Sequence, residues 1–241
     1  MPMIEPLLLT TVRVSTFDAE RPLTAASGFF FERERRLFLV TSRHVMIDTA
    51  SNHFPNRIEI ELHTDATDLT RSTRMSVLLH FNGKSVWRQA NDAGGEIDVA
   101  VIELDRSALP QSVMFRCFTM GHLQRSLQEV EVGASLLIVG FPLGFHDAVH
   151  HLPVVRQAVI ASSFGLRFQG LGCFVTDARM HRGSSGAPVV ARSQSTDAQL
   201  PWKLLGVHSS RMDMGSRDLE LDETLGLNCA WYADVLLTLT K

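Results

Sequence analysis

Three cysteines in 241 residues, Cys117, Cys173 and Cys229, are too few, too widely spaced and odd in number for a disulfide framework. They read as small buried hydrophobes, with room for at most one bridge. No Cys-x-x-Cys pair, phosphate loop or dinucleotide fingerprint is present, so no cofactor is expected. Charge of one sign is not in excess either: 23 Lys and Arg meet 26 Asp and Glu, giving a net charge of −3. With 7% aromatic residues and a single tyrosine, the chain offers neither a basic footprint nor a stacking platform, and nucleic acid is not expected as a partner. No apolar run approaches the roughly 18 residues of a membrane span. The first run, Leu7 to Leu9, has no Lys or Arg before it and is too short for a signal-peptide core. No membrane partner is expected. A cytoplasmic location is expected, or a secreted or periplasmic one if a leader has been removed.

What is present is a succession of short strands. Val12 and Val14 alternate with Thr11 and Arg13, and Ile58, Ile60 and Leu62 alternate with Glu59, Glu61 and His63, one face in and one out. Ser27–Phe31 and Leu37–Thr41 flank a charged turn. Asn82-Gly83, between two further strand candidates, is the dipeptide best suited to a two-residue type I′ turn. Ile97–Leu104 is apolar apart from Asp98 and Glu103. Ala134–Val139, Val154–Ser162, Gly172–Thr176, Ala187–Ala191 and Leu204–His208 continue the texture. Many strands separated by polar turns predict an all-β sandwich or barrel. Trp231, Val235, Leu236 and Leu239 fall at helical spacing and predict a terminal helix over about 229–240, with Asn228 as its N-cap.

Chemistry concentrates in His181-Arg182-Gly183-Ser184-Ser185-Gly186-Ala187-Pro188. Glycine at 183 lets the backbone turn so that consecutive N–H groups converge where an oxyanion would form. Gly183, Ser184 and Ser185 are the expected donors, and Ser185 the expected nucleophile. A hydroxyl needs a base, and His44 closes the strand candidate that ends at Thr41. The base needs a buried carboxylate to orient it, and Asp98 opens an apolar strand where a charge must be paired. The chain order His44, Asp98, Ser185 is that of chymotrypsin and not of subtilisin or the α/β-hydrolases. Ala187 also breaks the Gly-x-Ser-x-Gly elbow of the latter.

These segments resemble the trypsin-like peptidases, most closely the catalytic domain of the bacterial HtrA/Deg family. Ser27-Gly28-Phe29 is similar to that family's strand before the histidine. Val139-Gly140-Phe141-Pro142-Leu143-Gly144 is similar to its Gly-Asn-Pro-Phe-Gly segment, and Thr176-Asp177-Ala178 with the serine motif to its Thr-Asp-Ala and Gly-Asn-Ser-Gly-Gly-Pro. The resemblance implies one peptidase domain over 1–241, built of two six-stranded antiparallel β-barrels. These would span about 5–110 and 125–227, joined by 105–130 and followed by the terminal helix, with no PDZ module expected. It implies a serine endopeptidase acting on a protein or peptide substrate, with room for a regulatory protein partner. The alternative is a catalytically silent or partner-activated binding module on the same fold. Ser184 stands where pancreatic-type enzymes carry an ion-pairing Asp, so activation by N-terminal cleavage is not expected.

The resemblance also assigns a substrate pocket to Arg179, Met180, His208 and Ser209, with Ser209 bonding the catalytic Asp. Gly206-Val207-His208 is similar to the Gly-Ile-His of glutamyl endopeptidases, which implies Glu or Gln ahead of Lys or Arg before the scissile bond. Met180, where those enzymes have a hydroxyl, implies instead a pocket for small aliphatic residues. His146, His150 and His151 include an i, i+4 pair, but a metal site needs a further ligand, so no metal is expected.

Overall fold

The computed structural model describes residues 4–193, 199–211 and 226–241. Its first half supplies β1 (Thr11–Asp18), β2 (Arg21–Arg33), β3 (Arg36–Thr41), β4 (Arg57–His63) and β5 (Ser72–Leu78). A small hairpin, β6 (His80–Phe81) and β7 (Lys84–Ser85), leads to β8 (Trp87–Asp92) and β9 (Gly95–Leu104). The main sheet runs β5-β4-β1-β2-β3-β9-β8, all antiparallel, and β10 (Phe118–Thr119) adds to β2 in parallel. The second half supplies β11 (Ser135–Gly140), β12 (Val154–Ile160), β13 (Cys173–Asp177), β14 (Pro188–Arg192), β15 (Trp202–Arg211) and β16 (Leu227–Tyr232). These close into a six-stranded barrel in the order β11-β12-β13-β16-β15-β14.

One expected barrel is therefore closed, and among the described residues the other half keeps two edges. β5 carries Ser72, Arg74 and Ser76, and β8 exposes Arg88, Gln89 and Asn91. Polar and charged side chains on edge strands disfavour further pairing. The β6–β7 hairpin occupies the connection between those two edges.

The apolar runs in the sequence are continuous because three cores, not two, are filled. Phe30, Leu37, Leu39, Ile58, Ile60, Ala100 and Ile102 pack inside the first sheet. Leu136, Ile138, Ala158, Phe174, Val189 and Leu205 pack inside the closed barrel. The alternate residues of the same strands, Phe29, Phe31, Phe38, Val40, Val99 and Val101, meet Val139, Val190, Val207 and Trp231 in a third core between the halves. A strand buried on both faces reads as an unbroken apolar run.

The turns follow local chemistry. Asn82 and Gly83 take positive φ, 50° and 73°, as a type I′ turn requires. So do Glu34 and Arg35 (53° and 65°) in the β2–β3 hairpin, without a glycine. The terminal helix is shorter than expected. Asn228 lies in β16, where its Nδ2 donates to Ala178 O (2.8 Å) and Gly226 O (2.9 Å), and so does not cap a helix. A 3-10 turn at Ala233–Val235 and the short helix Leu236–Leu239 follow. The helically spaced Trp231, Leu236 and Leu239 all enter the third core, Trp231 from a strand. The cysteines are free.

The third core sets how the two halves meet, so it should be the costliest to damage. Phe29, wholly buried and edge-on to Phe118 (5.7 Å between centroids), is its test. Phe29→Ala should cost about 3–5 kcal/mol in urea unfolding. A loss below 1 kcal/mol would show that this core does not carry the domain.

Candidate active site

His44 is carried by a four-residue helix, α1 (Arg43–Met46), directly after β3. Asp98 is carried by β9, which pairs with β3, so strand register brings the two together. Asp98 Oδ2 lies 2.7 Å from His44 Nδ1, and Asp98 Oδ1 accepts the His44 backbone N–H at 2.8 Å. Ser209 Oγ donates to Asp98 Oδ2 as well. A carboxylate oxygen beside Nδ1 sets the tautomer: the proton sits on Nδ1 and Nε2 is left as an acceptor. Burial disfavours the imidazolium, but the hydrogen bond and charge of Asp98 outweigh it, so the His44 pKa is raised.

Ser185 lies in the same cleft as His44, a space of about 550 Å³ whose other walls include Arg182, Gly183 and the start of β2. Its turn is held from the opposite half of the molecule. Ser27 N–H donates to Ser185 O (2.9 Å) and Ser27 Oγ donates to Gly183 O (2.8 Å). On the other side of the turn, Gly186 N–H donates to His208 O at 2.8 Å. Gly186 has φ +85°, and a Cβ there would collide with Ser27 O and Thr41 Oγ1.

Gly183 has φ +91°, and its added Cβ would fall 2.5 Å from Phe141 O. Leu143 N–H donates to Arg182 O at 2.5 Å. In a planar trans peptide the N–H opposes the C=O, so the Gly183 N–H is aimed away from Leu143. Among the described residues neither Gly183 N–H nor Ser185 N–H has an acceptor. Ser184 N–H differs from expectation, since it is bonded to His181 O at 3.3 Å. The free donors are thus residues 183 and 185 alone.

The pocket residues divide. Met180 and His208 are buried, and Ser209 sits against Asp98. Arg179 is exposed, so it is a surface residue and does not line a pocket floor. His208, 2% exposed, has its pKa pushed down to about 4 by burial and then by the nearby His44. It is therefore neutral at ordinary pH. The histidines of 146–151 lie in a turn closed by the Asp147–Leu152 bridge, not on a helix. His150 Nδ1 pairs with Asp147 (2.7 Å) and His151 Nδ1 lies 3.3 Å from Glu61.

Sequence reasoning used Ser27 only as part of a resemblance and missed what it does. Its Oγ also accepts the Phe141 N–H (3.0 Å) and its carbonyl accepts Thr41 Oγ1–H (2.7 Å). A serine inside the otherwise apolar run 25–31, immediately before Gly28-Phe29-Phe30-Phe31, was the available signal.

The closed barrel, the packed sheet beside it and the cleft between them define a chymotrypsin-like protein. The model of the trypsin-like peptidase domain matches residues 26–196, and the chain belongs to that family. Among solved structures it is similar to the HtrA-type protease AlgW with a tripeptide (TM-score 0.58, 17% identity, 97% of this chain and 59% of that one). It is also similar to the serine endoprotease from Yersinia pestis (TM-score 0.56, 16% identity, 100% of this chain and 66% of that one). At these identities the likeness is one of fold, and this chain spans less than two thirds of either protein. No curated protein sequence matches it.

The raised His44 pKa has a direct test. A proton held by Asp98 is given up at higher pH, so the imidazole should titrate above the ordinary value of about 6.5. Asp98→Asn removes the charge and leaves the burial, so the midpoint should move down. Imidazole NMR on both proteins reads this without activity, and an unshifted midpoint in Asp98→Asn rejects the pairing.

Proposed function

We propose that the protein is a serine endopeptidase in which Ser185, His44 and Asp98 act as a catalytic triad. The observation that carries the reading is the pairing of His44 Nδ1 with Asp98 at 2.7 Å in the cleft that also holds Ser185, beside two unengaged N–H groups. Ser185 Oγ attacks the peptide carbonyl while His44 Nε2 takes its proton. The carbonyl oxygen becomes the oxyanion and is received by the N–H groups of Gly183 and Ser185. His44 then protonates the leaving amine, which frees an acyl-enzyme on Ser185. Water then attacks the acyl carbon while His44 takes its proton, and His44 passes that proton to Ser185 Oγ as the Oγ–acyl bond breaks and the acid leaves. Asp98 stays ionised and stabilises the imidazolium between steps. The structural neighbours are proteases, so the substrate is read as a protein or peptide.

Wild-type protein should react with a fluorophosphonate at Ser185, as read by mass spectrometry. Ser185→Ala and His44→Ala should each lose about four to six orders of magnitude in peptide hydrolysis while unfolding normally. The double variant should be little worse than either, because the triad acts as a unit. Peptidase activity within tenfold of wild type in Ser185→Ala rejects the assignment. A folded wild type that never labels supports the silent binding module instead.

For the residue before the scissile bond, the reading is an uncharged side chain. Met180 and His208 are buried, His208 is neutral, and the cation of Arg179 is exposed to solvent. A neutral imidazole can donate one hydrogen bond but cannot supply a countercharge. Small aliphatic residues and Gln should therefore be cleaved ahead of Lys and Arg, with no gain for Glu between pH 6 and 8. A peptide series varied at that residue tests it. Best cleavage after Lys or Arg, or a Glu preference that grows as pH falls from 8 to 6, counts against it.

A further inference from the structure

The outward face of β4 should be wet, because Glu59, Glu61 and His63 alternate with the buried Ile58, Ile60 and Leu62. Yet His63 is only 9% exposed. Met114 N–H bonds its backbone O (2.8 Å), and its side chain is met by the segment 141–152, which leaves β11 and returns to β12. His63 Nε2 lies 2.7 Å from His150 O, across 87 residues of sequence. A carbonyl only accepts, so His63 carries its proton on Nε2 and donates it. Alongside, His151 Nδ1 is 3.3 Å from Glu61 Oε1 without a hydrogen bond, and Glu61 receives Ser72 Oγ–H at 2.8 Å. The seam between segment and sheet retains a cavity of about 10 Å³, room for at most one water.

The segment is internally braced from this anchor to its other end. Asp147 N–H donates to Leu152 O (3.0 Å), and Asp147 Oδ1 accepts Val149 N–H (3.0 Å) and His150 N–H (3.1 Å). His146 stacks on His151 and bonds through Nδ1 to Gly144 O (2.6 Å), and Gly144 N–H donates to Phe141 O (2.9 Å). That other end is the wall of the oxyanion turn: Leu143 N–H holds Arg182 O, and Phe141 O and Leu143 N confine Gly183.

We propose that His63 is a positioning residue for the oxyanion turn, acting through His150 and the 141–152 segment on the Arg182–Gly183 peptide. The proposal rests on the protease reading above. It assigns the N-terminal sheet a second role besides carrying His44 and Asp98. The sheet's outer face clamps the far end of the segment that decides where the Gly183 N–H points. If the clamp is released, the Leu143–Arg182 bond opens more often and the turn spends time with that N–H turned away from the oxyanion.

The test uses the full chain with His63→Ala and His63→Gln, since Gln offers an N–H near the place of Nε2. Amide exchange by mass spectrometry in peptides covering 141–152 and 181–186 should be about tenfold faster in His63→Ala than in wild type, and close to wild type in His63→Gln. Losing the aim of one oxyanion donor costs about 10²–10³ in kcat when complete. A loosened one should cost about ten- to a hundredfold in kcat and in fluorophosphonate acylation, with KM within about threefold, and His63→Gln should restore most of it. If His63→Ala fails to fold, His63→Met, which fills the space without an N–H, replaces it. Unchanged exchange at 181–186, unchanged acylation in His63→Ala when the wild type does label, or a His63→Gln variant as impaired as His63→Ala each overturn the proposal. A wild type that does not label, while exchange at 181–186 still follows His63, overturns the protease reading and leaves the mechanical link standing.

Discussion

Ser27 is the residue on which the arrangement of the cleft depends. It is wholly buried at the junction of the two halves, and every polar group it owns is used. Its N–H holds Ser185 O, its hydroxyl donates to Gly183 O and accepts from Phe141 N–H, and its carbonyl accepts from Thr41. A buried donor or acceptor left unpaired costs about 1–3 kcal/mol, so a change that breaks any one of these bonds carries that penalty. The glycines are the steric side of the same fact. A Cβ on Gly140 would fall 2.6 Å from Ser27 Oγ, and one on Gly186 would strike Ser27 O. The turn that carries Ser185 is thereby shaped by the half of the molecule that also carries His44.

The electrostatics of the cleft follow from what each ring can reach. The pKa values of His44 and His208 shift in opposite directions, and His44 is close enough to His208 to disfavour a charge on it. His44 has the Asp98 carboxylate on Nδ1 and holds its proton more tightly. His208 Nδ1 is buried with no partner, and its ring stays neutral. One carboxylate thus raises the pKa of one imidazole, and burial lowers that of the other.

Alternation in the sequence was enough to place most strands and to say which residues share a face. It was not enough to say what lies on the far side of that face. β4 shows the limit: Glu61 and His63 read as outward, and they are outward, but a segment some 90 residues later lies over them. The terminal helix shows another. Trp231, Leu236 and Leu239 have helical spacing, yet Trp231 reaches the same core from a strand, because pairing of β16 with β13 and β15 claims residues 227–232 first. Closure of the second barrel was expected only through the resemblance, and the two edges that the described residues leave on the first sheet were not expected, since both depend on which strands end as neighbours.

By itself the sequence determined the local quantities: strand faces, the turn at Asn82-Gly83, the glycines that admit positive φ, and the residue types needed for a nucleophile, a base and a carboxylate in a given order. Only the tertiary structure decided which polar groups are engaged. It bonds Ser184 N–H to His181 and leaves 183 and 185 free, puts Arg179 in solvent, strips His208 of its charge, and makes Ser27 a joint. Periodicity encodes the direction in which a side chain leaves its own backbone, and that is a local property. Hydrogen-bond satisfaction and desolvation depend on atoms brought from up to 156 residues away, and those are set only when the halves have met.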